Sequence, residues 1–426
     1  MAIQPFRYGQ LSQLQVIYSG WGEQWVLGQL AESAISGRYL FEYSREALER
    51  GIEFSPLQLP LSTDTWANFE HFQHWLPGFI SDSLPDGWGW LLMDRFLRLN
   101  NVDPNRVSVL DRLALLGDNT MGALTYRPAA HFASAQSDKY DIRGLTGLAQ
   151  QIRQELSGGG SEALRELFLL GGSPQGARPK AQIEYQPATH RLATTVFTGS
   201  ESWLVKFPAA QESPWVCALE EVYARLARMA GVDFPESRYF RLGDDLSAFG
   251  VKRFDRRQGI KVPVLSMAGA LHADFRLPSM DYTDILRATS LITRSVVEKE
   301  IQARRMVFNV LLHNRDDHVK NFSFVLNGNS EWVVSPAYDL TFSNGPGGQH
   351  QTSVDGLGAD ITRTALLTVA GKADIRPARM NGIIEEVADI ATGFARIASE
   401  MTQDIPLGEL KRISDCIKHN LSFLKR

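Results

Sequence analysis

Apolar and polar residues alternate with period two through Leu14–Tyr18, Gln24–Leu30 and Tyr39–Tyr43, and Gly20, Gly22, Ser36 and Gly37 punctuate the runs. Such alternation turns one side of a strand to a core and the other to water, so these segments predict a small antiparallel sheet. The prolines of Phe54–Pro60 forbid a helix and predict an extended segment. Helical spacing takes over at Trp90–Leu99 and Val107–Leu116, Gly117-Asp118-Asn119 stops it, and Met121–Tyr126 reads as a closing strand. Trp88 and Trp90, beside Asp86, fit the core of a helix start better than a ligand box. Periodicity is lost around Pro128, and residues 127–142 read as a linker.

Beyond the linker the pattern predicts helices at Leu145–Leu156 and Ala163–Leu170, then the Gly-rich loop Gly171–Lys180. Strands follow at Ala181–Tyr185, Thr194–Phe197, Trp203–Pro208, Arg238–Leu242 and Ser247–Phe254, with an amphipathic helix at Val216–Met229 stopped by Gly231. From Ser279 onward the chain turns mainly helical, near residues 283–292, 295–312, 362–371, 377–400 and 407–424. Between Ser343 and Asp360 lies a Gly-rich polar stretch, expected to be a mobile activation or substrate loop. The fold class is α+β. A β-rich subdomain with helices (1–128) precedes a β-sheet part with the Gly-rich loop (143–258) and an α-helical C-terminal lobe (259–426).

Composition narrows the function classes. A chain of 426 residues exceeds one ordinary core, and 44% hydrophobic with 22% charged residues is a soluble globular balance. The formal charge of −4 gives no global case for nucleic-acid or membrane binding, although Arg253, Arg256, Arg257 and Lys261 could form a local basic patch. Cys217 and Cys416 sit in helical patterns without metal-ligand spacing and read as free thiols of a reducing compartment. Met1–Pro5 lacks a basic region leading into an apolar run, and no apolar run has the length of a membrane span. A cytoplasmic protein without a membrane partner is the expectation.

The chemistry concentrates in His313-Asn314-Arg315-Asp316-Asp317-His318-Val319-Lys320-Asn321 and, downstream, Ala337-Tyr338-Asp339-Leu340. Asp316 and Asn321 have the Arg-Asp-x-x-x-x-Asn spacing of a kinase catalytic loop, and Asp339 stands where such enzymes keep a second magnesium ligand. Phosphoryl transfer needs a carboxylate to orient and accept the proton of an attacking hydroxyl. It also needs hard oxygen ligands for Mg²⁺. Lys206 ends an apolar strand as the kinase strand-three lysine does, and either Glu220 or Glu221 could pair with it; the bland alternative is an acidic turn favoured by the helix dipole. The Gly171–Lys180 loop can lay backbone amides against phosphates, with Arg178 and Lys180 adding charge, although alone it is neither a Walker nor a Gly-x-Gly-x-x-Gly pattern. Backbone groups of Lys252, Arg253 and Phe254 lie where a hinge would meet adenine.

These residues resemble the HipA-type serine/threonine protein kinases, toxins of bacterial toxin–antitoxin pairs. The resemblance runs through Pro77-Gly78-Phe79, Asp82-Ser83-Leu84-Pro85-Asp86-Gly87-Trp88-Gly89, Gly117-Asp118 with Met121-Gly122-Ala123-Leu124, Gly176-Ala177-Arg178-Pro179-Lys180, Leu204-Val205-Lys206, Lys252-Arg253-Phe254-Asp255-Arg256, Asp316–Ser323 and Pro336-Ala337-Tyr338-Asp339. It implies a two-lobed protein-kinase-like fold and ATP with Mg²⁺ as cofactors. Asp316 is then the catalytic base, and Asn321 and Asp339 are the metal ligands. Gln175, Gly176, Ala177, Arg178, Pro179, Lys180 and Lys206 meet the phosphates; Lys252, Arg253 and Phe254 form the adenine hinge; His318, Lys320 and Tyr338 lie beside the nucleotide. Ser173 aligns with the serine whose autophosphorylation expels the phosphate loop and silences the kinase. The implied partners are a HipB-like helix-turn-helix antitoxin, with DNA reached only through it, and a protein substrate such as an aminoacyl-tRNA synthetase.

Two features depart from the family pattern. Asp317 replaces a common small residue, so it either perturbs the base or faces solvent, and Pro174 and Pro179 stiffen the phosphate loop. The competing readings are a catalytically vestigial co-repressor acting with a DNA-binding antitoxin, and a small-molecule phosphotransferase on the same fold. Retention of Lys206, Asp316, Asn321 and Asp339 together argues against the first.

Overall fold

The computed structural model describes residues 8–9, 11–35, 37–129, 144–156, 176–193 and 195–425. Strands β1 (Gln13–Tyr18), β2 (Trp25–Glu32), β3 (Tyr39–Tyr43) and β4 (Leu124–Arg127) form an antiparallel sheet in the order β3-β2-β1-β4. Leu14, Val16 and Tyr18 point inward, as their alternation requires. The closing strand begins at Leu124, three residues later than its apolar run suggests. The amide of Gly122 is instead engaged by Asp255. The helix Val109–Leu116 packs on β1 and β4 and opens with a capping box, in which Ser108 Oγ accepts the Asp111 amide at 3.1 Å and Asp111 Oδ2 accepts the Ser108 amide at 2.9 Å. Phe54–Pro60 is not extended. The amides of Gln58 and Leu59 both donate to Ser55 O, and the resulting turn buries Phe54 and Leu59.

The central sheet, β5 (Lys180–Gln186), β6 (Arg191–Ala193), β7 (Glu201–Lys206), β8 (Ser237–Arg241) and β9 (Ser247–Lys252), is antiparallel in the order β6-β5-β7-β9-β8. Its register pairs Lys180 with Lys206 and Lys206 with Phe249. A strand at Thr194–Phe197 is not formed: the hairpin partner of β5 lies at Arg191–Ala193. Phe197 and Ser200 close a turn in which the Ser200 amide donates to Phe197 O at 2.9 Å, and Val196 is left exposed. Thr194 itself, the helix expected at Ala163–Leu170 and the linker after Ala129 lie outside the described residues. The amphipathic helix Trp215–Met229 packs on β8 and β9.

The C-terminal lobe carries the helices Tyr282–Thr293, Val296–Leu311, Arg363–Lys372, Pro377–Thr392, Phe394–Met401 and Leu407–Phe423. The long helix expected over 377–400 is broken at Gly393, whose missing side chain makes continuation of the helix unfavourable while Phe394 is buried. The N-terminal part meets this lobe at close range. Gly78 and Gly269 approach so nearly that a Cβ on Gly78 would stand 2.1 Å from the Gly269 carbonyl oxygen. The Gly78 amide donates to His272 Nε2 at 3.2 Å, and half-buried Asp82 accepts both the amide and the hydroxyl of Ser266 at 2.7 Å. Among the described residues no helix is long and apolar enough to cross a membrane.

Candidate active site

The β5–β7 register sets two lysines side by side on the floor of a cleft. Lys206 Nζ donates to Glu220 Oε2 at 3.0 Å and also contacts the Asp339 carboxylate. Glu220 is thus the helix glutamate that pairs with Lys206, while Glu221 turns to Arg228 at 3.2 Å. Arg178 grips the other Glu220 oxygen at 2.7 Å and Glu212 at 2.8 Å, so its charge is spent on holding Glu220 in place. Burial pulls the Lys206 ammonium down, but Asp339 and Glu220 outweigh it and hold the group above the ordinary lysine value. Burial pushes Asp339 up, and Lys206 and Lys180 outweigh it in turn, keeping the carboxylate well below its usual range. Lys180 is pushed down to about 8, chiefly by burial.

The helix Val296–Leu311 delivers the loop expected to be catalytic, which turns through His313 at φ +58°. Asp316 is exposed; Asn321 Nδ2 donates to its carbonyl at 2.7 Å, which commits the amide nitrogen and leaves Asn321 Oδ1 as the atom able to ligate a metal. The Tyr338 hydroxyl donates to Lys320 O at 2.5 Å and accepts from Ser323 Oγ at 2.5 Å, tying the loop to the residue before Asp339. Asp339 adopts a left-handed φ of +52°, a conformation Asp tolerates better than bulkier residues. Asp317 neither faces solvent nor touches Asp316 through its side chain: it is buried, accepting from Tyr282, His350, Gln351 and Thr352. Those bonds pin residues 350–352 to the catalytic loop, contrary to the mobility expected for this stretch. Gln351 Nε2 donates to Asp316 Oδ1 at 2.9 Å.

Above the lysines lies a cleft of about 1090 Å³, lined on its apolar walls by Leu204, Phe249, Val251 and Phe254 and closed from the N-terminal part by Phe79 and Met121. Lys180, Lys206, Lys252, Arg253, Tyr338 and Asp339 also line it. An apolar slot with cations at one end suits a flat base joined to phosphates. At the hinge the Lys252 amide is committed to Glu236 O and the Arg253 amide to Ser202 O. The Phe254 amide donates to nothing among the described residues and is the candidate adenine donor. The side chains of Lys252 and Arg253 are themselves paired, with Glu201 at 2.6 Å and Asp255 at 2.8 Å, and the Phe254 ring stacks on Tyr338 at 5.7 Å between centroids.

The C-terminal half of the Gly171–Lys180 loop, the candidate phosphate loop, is held by the N-terminal part. Asp86 stands at the N-cap of the helix Gly87–Leu99 without capping it; its carboxylate accepts the Gly176 amide and meets Lys320 Nζ at 3.4 Å. The Trp88 amide donates to Gly176 O at 3.2 Å and its indole to Lys180 O at 3.1 Å. Trp88 is thus core, as its burial shows, and also a fastener; Trp90 is half-buried under Arg112 at 4.2 Å. The Pro179 carbonyl accepts the Phe207 amide at 2.9 Å. Gly176 and Ala177 lie against Gly87, whereas Ser173 and Gln175 fall outside the described residues. Sequence reasoning missed Asp86, Gln351 and the hub role of Asp317, because each acts across a long chain separation with no local spacing to betray it.

The donor set fits Mg·ATP. Asn321 Oδ1 and the Asp339 carboxylate are hard oxygens of the kind Mg²⁺ takes beside phosphate oxygens. Lys180 and Lys206 supply positive charge, and the buried Nδ1 of His318 has no partner among the described residues. Among those residues no cluster of three or more His, Cys, Asp or Glu side chains is placed to hold a metal by itself.

A sheet lysine paired with a helix glutamate, above a helical lobe bearing Asp316, Asn321 and Asp339, is the arrangement of the kinase-like class. Within that class the chain belongs to the HipA family: the HipA-like C-terminal domain matches residues 172–394 and the HipA N-terminal domain residues 19–127. A protein of Sinorhizobium fredii that carries a kinase name is 31% identical over 323 residues, 71% of this chain and 72% of its own length. A kinase-named protein of Haemophilus influenzae is 26% identical over 31% of this chain and 43% of its own. The HipA of Shewanella oneidensis MR-1, solved with HipB and operator DNA, superposes with a TM-score of 0.70 over 96% of both chains at 18% identity, a likeness of fold.

Proposed function

We propose that this HipA-family protein is an ATP- and Mg²⁺-dependent serine/threonine protein kinase that phosphorylates a component of translation, such as an aminoacyl-tRNA synthetase. The observation that supports this reading most is Lys206 shared between Glu220 and Asp339, with Asp316 and Asn321 bonded together on the facing loop. Glu220, itself fixed by Arg178, aims Lys206 at the phosphates. Asn321 Oδ1 and Asp339 would hold Mg²⁺, whose charge would offset that of the transferring group. The apolar walls exclude water and seat the base, with the Phe254 amide as its hydrogen-bond donor. Asp316 orients the acceptor hydroxyl and takes its proton at a carboxylate oxygen, a general-base role of about 10²–10⁴-fold.

Regulation and partnership complete the proposal. Autophosphorylation of Ser173 silences the enzyme, and a HipB-like helix-turn-helix antitoxin binds it and links it to operator DNA; the complex of the Shewanella relative supports the partner class. The test is intact-mass spectrometry of the protein before and after incubation with Mg·ATP, beside Asp316→Ala. A phosphate adduct mapping to Ser173 and absent from the variant is the expected result. An adduct elsewhere would remove the self-silencing serine from the proposal, and no adduct together with no nucleotide binding would favour a co-repressor without kinase activity.

A further inference from the structure

Gln351 owes its place to the buried acid next to the candidate base. Asp317 is 1% exposed; its Oδ2 accepts the Tyr282 hydroxyl and His350 Nδ1, both at 2.8 Å. Its Oδ1 accepts the amides of Gln351 at 2.9 Å and Thr352 at 3.3 Å, and the Thr352 hydroxyl donates to the Asp317 carbonyl at 2.5 Å. Tyr282 is held in turn by Asn309 Nδ2 at 2.9 Å. The main chain at residue 351 is therefore fastened to the neighbour of Asp316, and the Gln351 side chain reaches across to Asp316 Oδ1 at 2.9 Å.

We propose that Gln351 is a positioning residue for the phosphotransfer reaction: its amide holds Oδ1 of Asp316 so that Oδ2 is the oxygen offered to the acceptor hydroxyl. This rests on the kinase reading. An exposed carboxylate otherwise rotates and presents either oxygen, and orientation of a catalytic group is lost unless neighbouring side chains fix it. A neutral amide is suited to the task because it donates to the carboxylate without supplying a competing base. Asp317 acts through Gln351 by fixing its backbone, so the two residues form one device around Asp316.

The test uses the full chain with Mg·ATP and no added protein substrate, following phosphate release and phosphate incorporation into the chain itself. Gln351→Met keeps the length and removes the donor; Gln351→Glu keeps the shape and sets a like charge beside Asp316. The expected result is a fall in kcat of about tenfold or more in Gln351→Met, a larger fall in Gln351→Glu, and an unchanged KM for ATP and unchanged Tm in both. Asp317→Asn should lower kcat less in the Gln351→Met background than alone; if that variant fails to fold, the two Gln351 variants decide. A Gln351→Met enzyme with wild-type kcat, or equal losses in both variants with a fallen Tm, would overturn the assignment while leaving the kinase intact. A wild-type chain that transfers no phosphate overturns the kinase reading and this role with it.

Discussion

Gly87→Ala tests whether the N-terminal part truly holds the phosphate loop. Gly87 has φ +35°, and a Cβ there would stand 2.7 Å from Ala177 Cα and 2.8 Å from Gly176 O, both backbone atoms that cannot swing aside. A side chain in this region of φ costs roughly 1–2 kcal/mol, and forced overpacking a further ~1–3 kcal/mol. Relief by displacing the loop gives up the bonds from the Asp86 carboxylate, the Trp88 amide and the Trp88 indole, at about 1 kcal/mol each. The two costs are comparable, so the strain divides between global stability and loop position. The expected outcome is a loss of about 1–3 kcal/mol in urea unfolding and a KM for ATP raised about tenfold or more, since ~1.4 kcal/mol misplaced from binding is a factor of ten. Gly382→Ala is the control: this glycine lies in the helix Pro377–Thr392 with open space around it, and alanine there should stabilise by about 0.4–1 kcal/mol without touching the KM. A Gly87→Ala protein with wild-type stability and wild-type KM would refute the argument.

Glu220→Gln preserves shape but removes the charge shared by Lys206 and Arg178; because each keeps one other acidic partner, the loss should sit near the low end of the ~3–5 kcal/mol for a broken buried pair, with a raised KM for ATP, read by urea unfolding and steady-state kinetics. Burial lowers the pKa values of His74, His272 and His313 to about 4, whereas an unfolded histidine titrates near ~6.5. Between those values the unfolded chain binds more protons, so stability is full above about pH 6.5 and is lost as pH falls toward 4, by at most ~2 kcal/mol per histidine at about pH 5. His272 Nε2 accepts the Gly78 amide and can do so only when unprotonated; His272→Gln, with an acceptor at every pH, should lessen the fall of the urea midpoint between pH 7 and 5 while His74 and His313 keep theirs, and an unaltered slope would count against this origin.

What the sequence made legible was local. Alternation found β1, β2 and β3 to within two residues, and helical spacing found the C-terminal helices, because burial of one face dictates both patterns. The Asp316-to-Asn321 spacing was readable because both residues belong to one loop. Thr194–Phe197 misled because its apolar residues are not packed: Val196 is exposed and Phe197 lies under the Arg191 guanidinium at 4.5 Å. The choice between Glu220 and Glu221 depended on which side of the helix turns toward Lys206, which adjacent residues cannot reveal. The contacts of Asp86 with Gly176 and of Asp317 with residues 350–352 arise from how separate segments close on each other, and no window of sequence contains them.

Rapid-quench measurement of γ-phosphate transfer in a single turnover tests most directly whether Asp316 is the base and Asp339 a metal ligand. Asp316 is exposed and Asn321 bonds only its carbonyl, so Asp316→Asn should fold and bind Mg·ATP as the wild type does. It should nevertheless transfer phosphate slower by about 10²–10⁴-fold. Asp339→Asn should lose the Mg²⁺-dependent part of ATP affinity along with transfer. Transfer at the wild-type rate in Asp316→Asn, with Mg·ATP affinity unchanged in Asp339→Asn, would contradict the central claim.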